Sequence, residues 1–230
     1  MHEQKIIDIL KKAYFSDNPD EKNVVENLSR ILSPNDFFID AGASLGQYTL
    51  KSAKILTGSQ GRVAAFEPDP IRHQRLQANC RDWSGKFNIR IDCEGSALSN
   101  QDGTIIFHST NSNVSGGLFK HDLDHLSHEH LSNVEWSEIE VPSITLDSFV
   151  GKHLPSLVKM DVEGTELRVL QGAKGILSQG KTDFLMELHD WNDPMGQNGL
   201  DDVIEYFKQY AYAEENFFGK SLFRKRPLTP

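Results

Sequence analysis

Only two cysteines, Cys80 and Cys93, stand among the 230 residues, and they are not spaced as CxxC. That excludes a thiolate zinc site and a disulfide framework, and suits two buried thiols in a reducing compartment. No apolar run is long enough to span a bilayer. The opening Met1-His2-Glu3-Gln4-Lys5-Ile6-Ile7-Asp8-Ile9-Leu10 is amphipathic and carries acids, unlike a secretory leader. The expectation is a cytoplasmic protein with no membrane partner, in which the sequons at Asn27 and Asn113 carry little weight. Positive charge is scarce too. Twenty-four Lys and Arg face 33 Asp and Glu, giving a net charge of -9 and a pI near 5.4. Such a balance disfavours a surface built for nucleic acid. The one dense basic cluster, Phe223-Arg224-Lys225-Arg226, reads as a solvated chain end.

What is present fits a soluble globular protein: 38% hydrophobic and 25% charged residues, in a chain long enough to bury a substantial core. No repeat or linker divides it, so residues 1–230 read as a single domain. Residues 1–33 form a helical extension, with one apolar pattern at Ile6, Ile7, Ile9 and Leu10. A second, at Val24, Val25, Leu28, Ile31 and Leu32, is stopped by Ser33-Pro34. The two helices are expected to cover an edge or face of a sheet. Strands then alternate with helices: Asp36–Asp40, Gly46–Leu56, Arg62–Phe66, Pro70–Trp83, Asn88–Cys93. This alternation implies right-handed crossovers and a mainly parallel α/β sheet. Residues 103–143 interrupt the rhythm, with β-like runs at Thr104–His108 and Ile139–Pro142 around a polar stretch. They read as an insertion with a hairpin and a candidate substrate lid. The pattern resumes with Leu157–Met160, a helix from Thr165 to about Leu177, Asp183–Leu188, and a helix Leu200–Tyr210. Two closing β runs, Ala211–Asn216 and Ser221–Arg224, flank Phe218-Gly219-Lys220 as a hairpin.

Two constellations carry chemistry. The strand Phe37-Phe38-Ile39-Asp40 ends in a carboxylate and enters the turn Ala41-Gly42-Ala43-Ser44-Leu45-Gly46. Gly42 permits a backbone approach that a Cβ would obstruct. The next strand ends in Phe66-Glu67-Pro68, and Glu67 lies 67 − 46 = 21 residues beyond Gly46. An acid at that spacing can accept both hydroxyls of a ribose, although Pro68-Asp69-Pro70 also makes Glu67 a helix-start carboxylate. The second constellation is Leu157-Val158-Lys159-Met160-Asp161-Val162-Glu163-Gly164-Thr165-Glu166, an apolar strand that runs into an acidic turn. Ligands of open parallel sheets lie beyond the carboxyl ends of the strands, which places Asp161 and Glu163 well. Met186-Glu187-Leu188-His189 brings Glu187 and His189 to the same rim. Helix capping by Glu163 and an ion pair at Glu187 are the plain alternatives. The run His121-Asp122-Leu123-Asp124-His125-Leu126-Ser127-His128-Glu129-His130 matches no zinc spacing and reads as an exposed polar helix; no metal site is assigned.

The segments Ile39–Thr49, Phe66-Glu67-Pro68, Ile144-Thr145-Leu146-Asp147 and above all Val158–Ala173 resemble the FkbM-type methyltransferases. The resemblance covers about residues 34–190. It implies a class I methyltransferase (Rossmann-like) fold: a seven-stranded, mainly parallel sheet with an antiparallel last strand and helices on both faces. It further implies S-adenosylmethionine as cofactor and methyl transfer to a free hydroxyl of a sugar, glycan or small natural product. On this resemblance the cofactor site comprises Asp40, Gly42, Ala43, Gly46, Tyr48, Thr49, Glu67, Pro68, Glu94, Ser96, Ala97 and Asp161. Asp40, Gly42 and Gly46 would line the methionine side, Glu67 would take the ribose diol, and Glu94–Leu98 would frame adenine. Asp161 is the first choice of general base, with His189 and Glu163 behind it. No feature of the sequence specifies an oligomeric state.

A nicotinamide-dependent oxidoreductase is the nearest rival, but the middle glycine of G-x-G-x-x-G is missing. Nucleic-acid methylation lacks a basic, aromatic groove. A non-catalytic cofactor-binding scaffold would keep Asp40 and Glu67 without needing Asp161 and Glu187.

Overall fold

The computed structural model describes residues 19–110, 135–188 and 199–225. In chain order the strands are β1 Phe37–Ala41, β2 Arg62–Phe66, β3 Arg90–Glu94, β4 Ala97–Leu98 and β5 Gly103–Thr110. They continue as β6 Trp136–Ile144, β7 Leu157–Met160, β8 Asp183–Met186, β9 Tyr212–Phe217 and β10 Lys220–Lys225. Seven of them form one sheet in the order β3-β2-β1-β7-β8-β10-β9. All run parallel except β10, which is antiparallel to both its neighbours. This is the sheet expected from the sequence. β1 and β7 are buried along their whole length, as central strands covered on both faces must be.

The helices are α1 Pro19–Asn27, α2 Gln47–Ile55, α3 Pro70–Phe87, α4 Leu146–Val150, α5 Glu166–Gln171, α6 Lys174–Gln179 and α7 Leu200–Gln209. On one face α1 and the 3-10 turn that follows it bury Val24, Val25 and Leu28 against Phe38, Leu157, Leu185 and Leu222. Alongside them α3 sets Leu76 and Cys80 on Ala65. On the other face α4 to α7 bury Leu146, Leu170, Ile176 and Phe207 against Ile39, Val158 and Phe184. Phe207 also stacks on Phe223, with ring centroids 4.0 Å apart. Each such fully buried side chain contributes about 1.5–3 kcal/mol of transfer free energy. The first helical pattern of the extension, at Ile6–Leu10, lies outside the described residues.

Where the elements differ from the sequence reading, a local contact explains it. The helix expected from Thr165 to Leu177 is two helices, broken at Gly172-Ala173. At the break a Cβ on Gly172 would stand 2.1 Å from the Ser99 carbonyl oxygen, so that position requires glycine. Asp147 then starts α6 by accepting the Gly175 and Ile176 N–H groups at 2.7 and 3.0 Å. Helix α3 runs on to Phe87 and stops at Asn88 in a left-handed conformation, so β3 begins at Arg90. The basic cluster is not a solvated tail as far as it is described. Arg224 donates to Asp183 at 2.8 Å, and Lys225 fills the space over Gly180. The closing hairpin turns at Phe218 and Gly219, both at positive φ (54° and 94°), whose twist suits a two-residue hairpin.

The two long strands of the insertion, with β4 just before it, form a separate three-stranded sheet in the order β4-β6-β5. β5 and β6 pair antiparallel from Gly103↔Ser143 to Thr110↔Trp136, longer than the sequence suggested. Residues 111–134, which include the histidine-rich run and most of the candidate lid, are outside the described residues. Among the described residues no helix is long and apolar enough to cross a membrane.

Candidate functional site

Strand order reverses between β1 and β7, and the sequence-predicted acids gather at the carboxyl ends of these strands and of β2. Asp40 is fully buried under α2. Its Oδ2 accepts the Thr49 N–H at 2.9 Å and the Thr49 hydroxyl at 2.6 Å, which fastens the strand to the first turn of the helix. Its Oδ1 has no hydrogen bond and lies 3.7 Å from Lys159 Nζ. Burial raises the Asp40 carboxyl above its ordinary range, and Lys159 and Thr49 oppose that rise. Tyr48 is buried in the core on the same face, its ring 5.0 Å from Lys159 Nζ. Burial and then Glu21 push its phenol upward.

The turn after β1 is built on left-handed residues: Gly42 at φ 72°, Ser44 at φ 50° and Gly46 at φ 93°. A Cβ on Gly42 would lie 1.8 Å from the Asp161 carbonyl oxygen. A Cβ on Gly46 would lie 2.7 Å from both Leu76 and Trp83 of α3. Both glycines are thus demanded by the chain's own packing, and Gly46 is turned to α3 rather than to the rim. Ala43 is buried, and its N–H donates to the Phe66 carbonyl at 2.8 Å, tying the turn to β2.

Glu67 ends β2. Its carboxylate accepts the Ser44 N–H at 2.8 Å and the Asp69 N–H at 2.9 Å, one on each oxygen. The helix-start role belongs to Asp69, which accepts the Ile71 and Arg72 N–H groups, both at 3.0 Å. Glu67 is thereby released from capping. Burial pushes its carboxyl up to about 7, against the pull of its backbone donor at Asp69 and of Arg72. Pro68 beside it is half-buried. Glu94 at the end of β3 and Gly95 and Ser96 after it are half-buried, and the His73 ring lies over Gly95, 3.0 Å from where a Cβ would be. Ala97 is carried into the small sheet, where it packs with Phe107 and Val141.

Across the switch point, the Asp161 N–H donates to the Ala41 carbonyl at 3.1 Å, and its side chain is 27% exposed. The turn continues through Glu163 (φ 54°) and Gly164 (φ 87°), and Glu166 accepts the Gly164 N–H at 3.2 Å. Glu163 is half-buried on that turn. Glu187 does not stand free at the rim. It pairs with Lys220 of β10, which is also 2.9 Å from Glu21 of α1. His189 lies outside the described residues. Among the described residues no cluster of His, Cys, Asp or Glu is arranged to hold a metal. Cys80 and Cys93 are free thiols in one apolar cluster, Cys80 buried and Cys93 partly buried.

Sequence reasoning missed Lys159. It faces Asp40 in the β1–β7 register, and its Nζ donates to the Gly42 carbonyl at 3.2 Å while lying 3.5 Å from Asp161 Oδ2. The signal was available: a lysine in the middle of an apolar central strand is costly unless paired. Lys220, Glu21 and Asp69 were missed for want of any such signal.

The Methyltransferase FkbM domain model matches residues 40–213. A curated relative, the hexuronic acid methyltransferase AglP of Haloferax volcanii, is 27% identical over 178 residues, or 76% of this chain and 64% of its own length. Among solved structures, a methyltransferase FkbM from Methylobacillus flagellatus KT aligns with a TM-score of 0.57 at 19% identity, covering 87% of this chain and 50% of that one. A methyltransferase from Geobacter sulfurreducens aligns at 0.53 and 11% identity, covering 96% and 89% respectively. The chain therefore spans about half to two thirds of the length of the FkbM structure and of the curated relative.

Proposed function

The chain belongs to the FkbM methyltransferase family, and from that premise we propose that it moves a methyl group from S-adenosylmethionine to a hydroxyl of a carbohydrate or related small molecule. The residues at the switch point suit that cofactor. Glu67 has each oxygen engaged by a single backbone donor, and a carboxylate offers about four acceptor positions, so a ribose diol can be taken without displacing either. The acids around Asp40 and Asp161 outnumber the lysine between them, which suits a ligand carrying positive charge. When bound, S-adenosylmethionine supplies an electrophilic methyl group on a sulfonium. The chain's own residues do the rest. Glu67 and the Ser44 turn hold the nucleoside end; Glu94 and Ser96 border it. Asp161, partly exposed at the rim, would orient the acceptor hydroxyl and take its proton as the C–O bond forms and the methyl–sulfur bond breaks, its electron pair remaining on a neutral thioether. Glu163 on the same turn, and His189, stand as its substitutes.

The observation that carries this reading is the Glu67 carboxylate, held just beyond the end of β2 by the Ser44 N–H of the turn after β1. The nicotinamide rival is disfavoured by spacing: Gly42 and Gly46 stand four residues apart, whereas the first and third glycines of G-x-G-x-x-G stand five apart. The curated relative's activity on a hexuronic acid supports a carbohydrate acceptor. Titration calorimetry tests the cofactor: S-adenosylhomocysteine should bind and NAD should not, and the reverse would overturn the reading. Transfer of labelled methyl groups to a panel of uronic acids and neutral sugars then tests the acceptor class.

A further inference from the structure

We infer that Lys159 is a positioning residue that sets how strongly the site prefers the positively charged methyl donor over its neutral, demethylated product. This rests on the methyltransferase reading of the site. The side chain is 7% exposed and comes from the middle of a strand whose other residues, Leu157, Val158 and Met160, are apolar and buried. A charge so placed is retained only with partners. Its ammonium lies 3.7 Å from Asp40 Oδ1, 3.5 Å from Asp161 Oδ2, donates to the Gly42 carbonyl at 3.2 Å, and sits 5.0 Å from the Tyr48 ring. It thus joins the end of β1, the glycine turn and the rim carboxylate at one point. Burial by itself would weaken its hold on a proton. Asp161, Asp40, Glu21 and Glu187, facing it from β7's end, β1, α1 and β8's end, more than reverse that. Lys159 is therefore a fixed cation.

The charge count gives the role. Lys159 holds one positive charge beside Asp40 and Asp161, so a neutral side chain in its place makes the surroundings of a bound sulfonium more negative. Donor and spent product differ only by the methyl group and the sulfonium charge it brings, so the change in their affinity ratio between variants reads the charge of Lys159. A residue that only held the fold would change both affinities together.

The experiment is titration of the full chain with S-adenosylmethionine and S-adenosylhomocysteine, for wild type, Lys159→Met and Lys159→Met/Asp161→Asn, each checked for cooperative thermal unfolding. A unit charge acting across one or two side chains in a medium of effective dielectric about 20 shifts an equilibrium on the order of tenfold. Lys159→Met should therefore raise the preference for the charged donor about tenfold, and the charge-balanced double variant should return it to within about twofold of wild type. An unchanged ratio in Lys159→Met, with both affinities falling alike, would overturn the inference. Where Lys159→Met does not fold, Asp161→Asn is compared with the double variant, and the same tenfold difference is required. A wild type that binds neither ligand removes the methyltransferase premise itself, an outcome distinct from an unchanged ratio.

Discussion

With Glu67 as the proposed ribose acceptor, cofactor binding should be a proton-linked event, and the linkage has a definite sign. In the ligand-free chain burial lifts this group from the ordinary 4.5 to about 7. A ribose diol brings two O–H donors, and two donors are better met by a carboxylate than by the neutral acid. Binding should then expel the proton. With a free-state value near 7, affinity for S-adenosylhomocysteine should rise about tenfold from about pH 6 to about pH 8 and level off above. At about pH 6 roughly 0.9 proton should be released per ligand bound, readable as a dependence of the calorimetric heat on buffer ionisation enthalpy. Arg72 and Asp69, the charged neighbours, act on the group in opposite directions.

The same shift governs stability without ligand. An acid raised in the folded state contributes stability that is fully present below its unfolded value and lost as pH climbs through the folded one. Glu67 should thus cost the ligand-free chain up to about 3 kcal/mol between the two values, 4.5 and about 7. Glu67→Gln should bind S-adenosylhomocysteine more weakly, lose the pH dependence of binding, and flatten this part of the stability profile. A wild type whose affinity is level across that range, or a Glu67→Gln variant that keeps the wild-type slope, refutes the reasoning.

Two substitutions separate what shapes the site from what acts in it. Gly42→Ala would drive a Cβ to 1.8 Å from the Asp161 carbonyl at a positive φ, so chemical denaturation should show a loss of about 3 kcal/mol or complete failure to fold; a variant within about 1 kcal/mol of wild type would contradict the close approach. Asp161→Asn keeps shape and removes charge and basicity. Turnover on an identified acceptor should fall about 10²–10⁴-fold while S-adenosylhomocysteine still binds, and full activity would end the assignment of Asp161 as base.

Much of the sheet was legible because strands buried on both faces announce themselves. Phe37-Phe38-Ile39 runs apolar into Asp40, Leu157–Met160 is apolar but for Lys159 and runs into Asp161, and the structure sets the two strands side by side. Less legible were elements set by contacts remote in sequence. Nothing near Gly172 says that the Ser99 carbonyl will press on it, so one helix was read where there are two. Ala97 likewise reads as loop until Ser143 pairs with it. The 3-strand insertion sheet was half legible: its hairpin alternates, but its parallel third strand is two residues long and has no pattern of its own.

The site shows a subtler division. The pattern of aspartate and two glycines located the ligand end of the sheet, yet in the structure Asp40, Gly42 and Gly46 spend their chemistry on the chain itself. Asp40 anchors Thr49, Gly42 makes room for the Asp161 carbonyl, and Gly46 makes room for Leu76 and Trp83. A motif of this kind records what the turn needs in order to exist, and only secondarily what touches a ligand. The residues it sets at the carboxyl end of the sheet, Ser44, Glu67 and Asp161, are held there by backbone bonds to neighbouring segments. Lys159 carries the same lesson from the opposite side: a charge that the strand pattern cannot explain points to the partners it must have. Unexplained polarity in a buried strand is therefore a better guide to a site's electrostatics than the glycines that frame it.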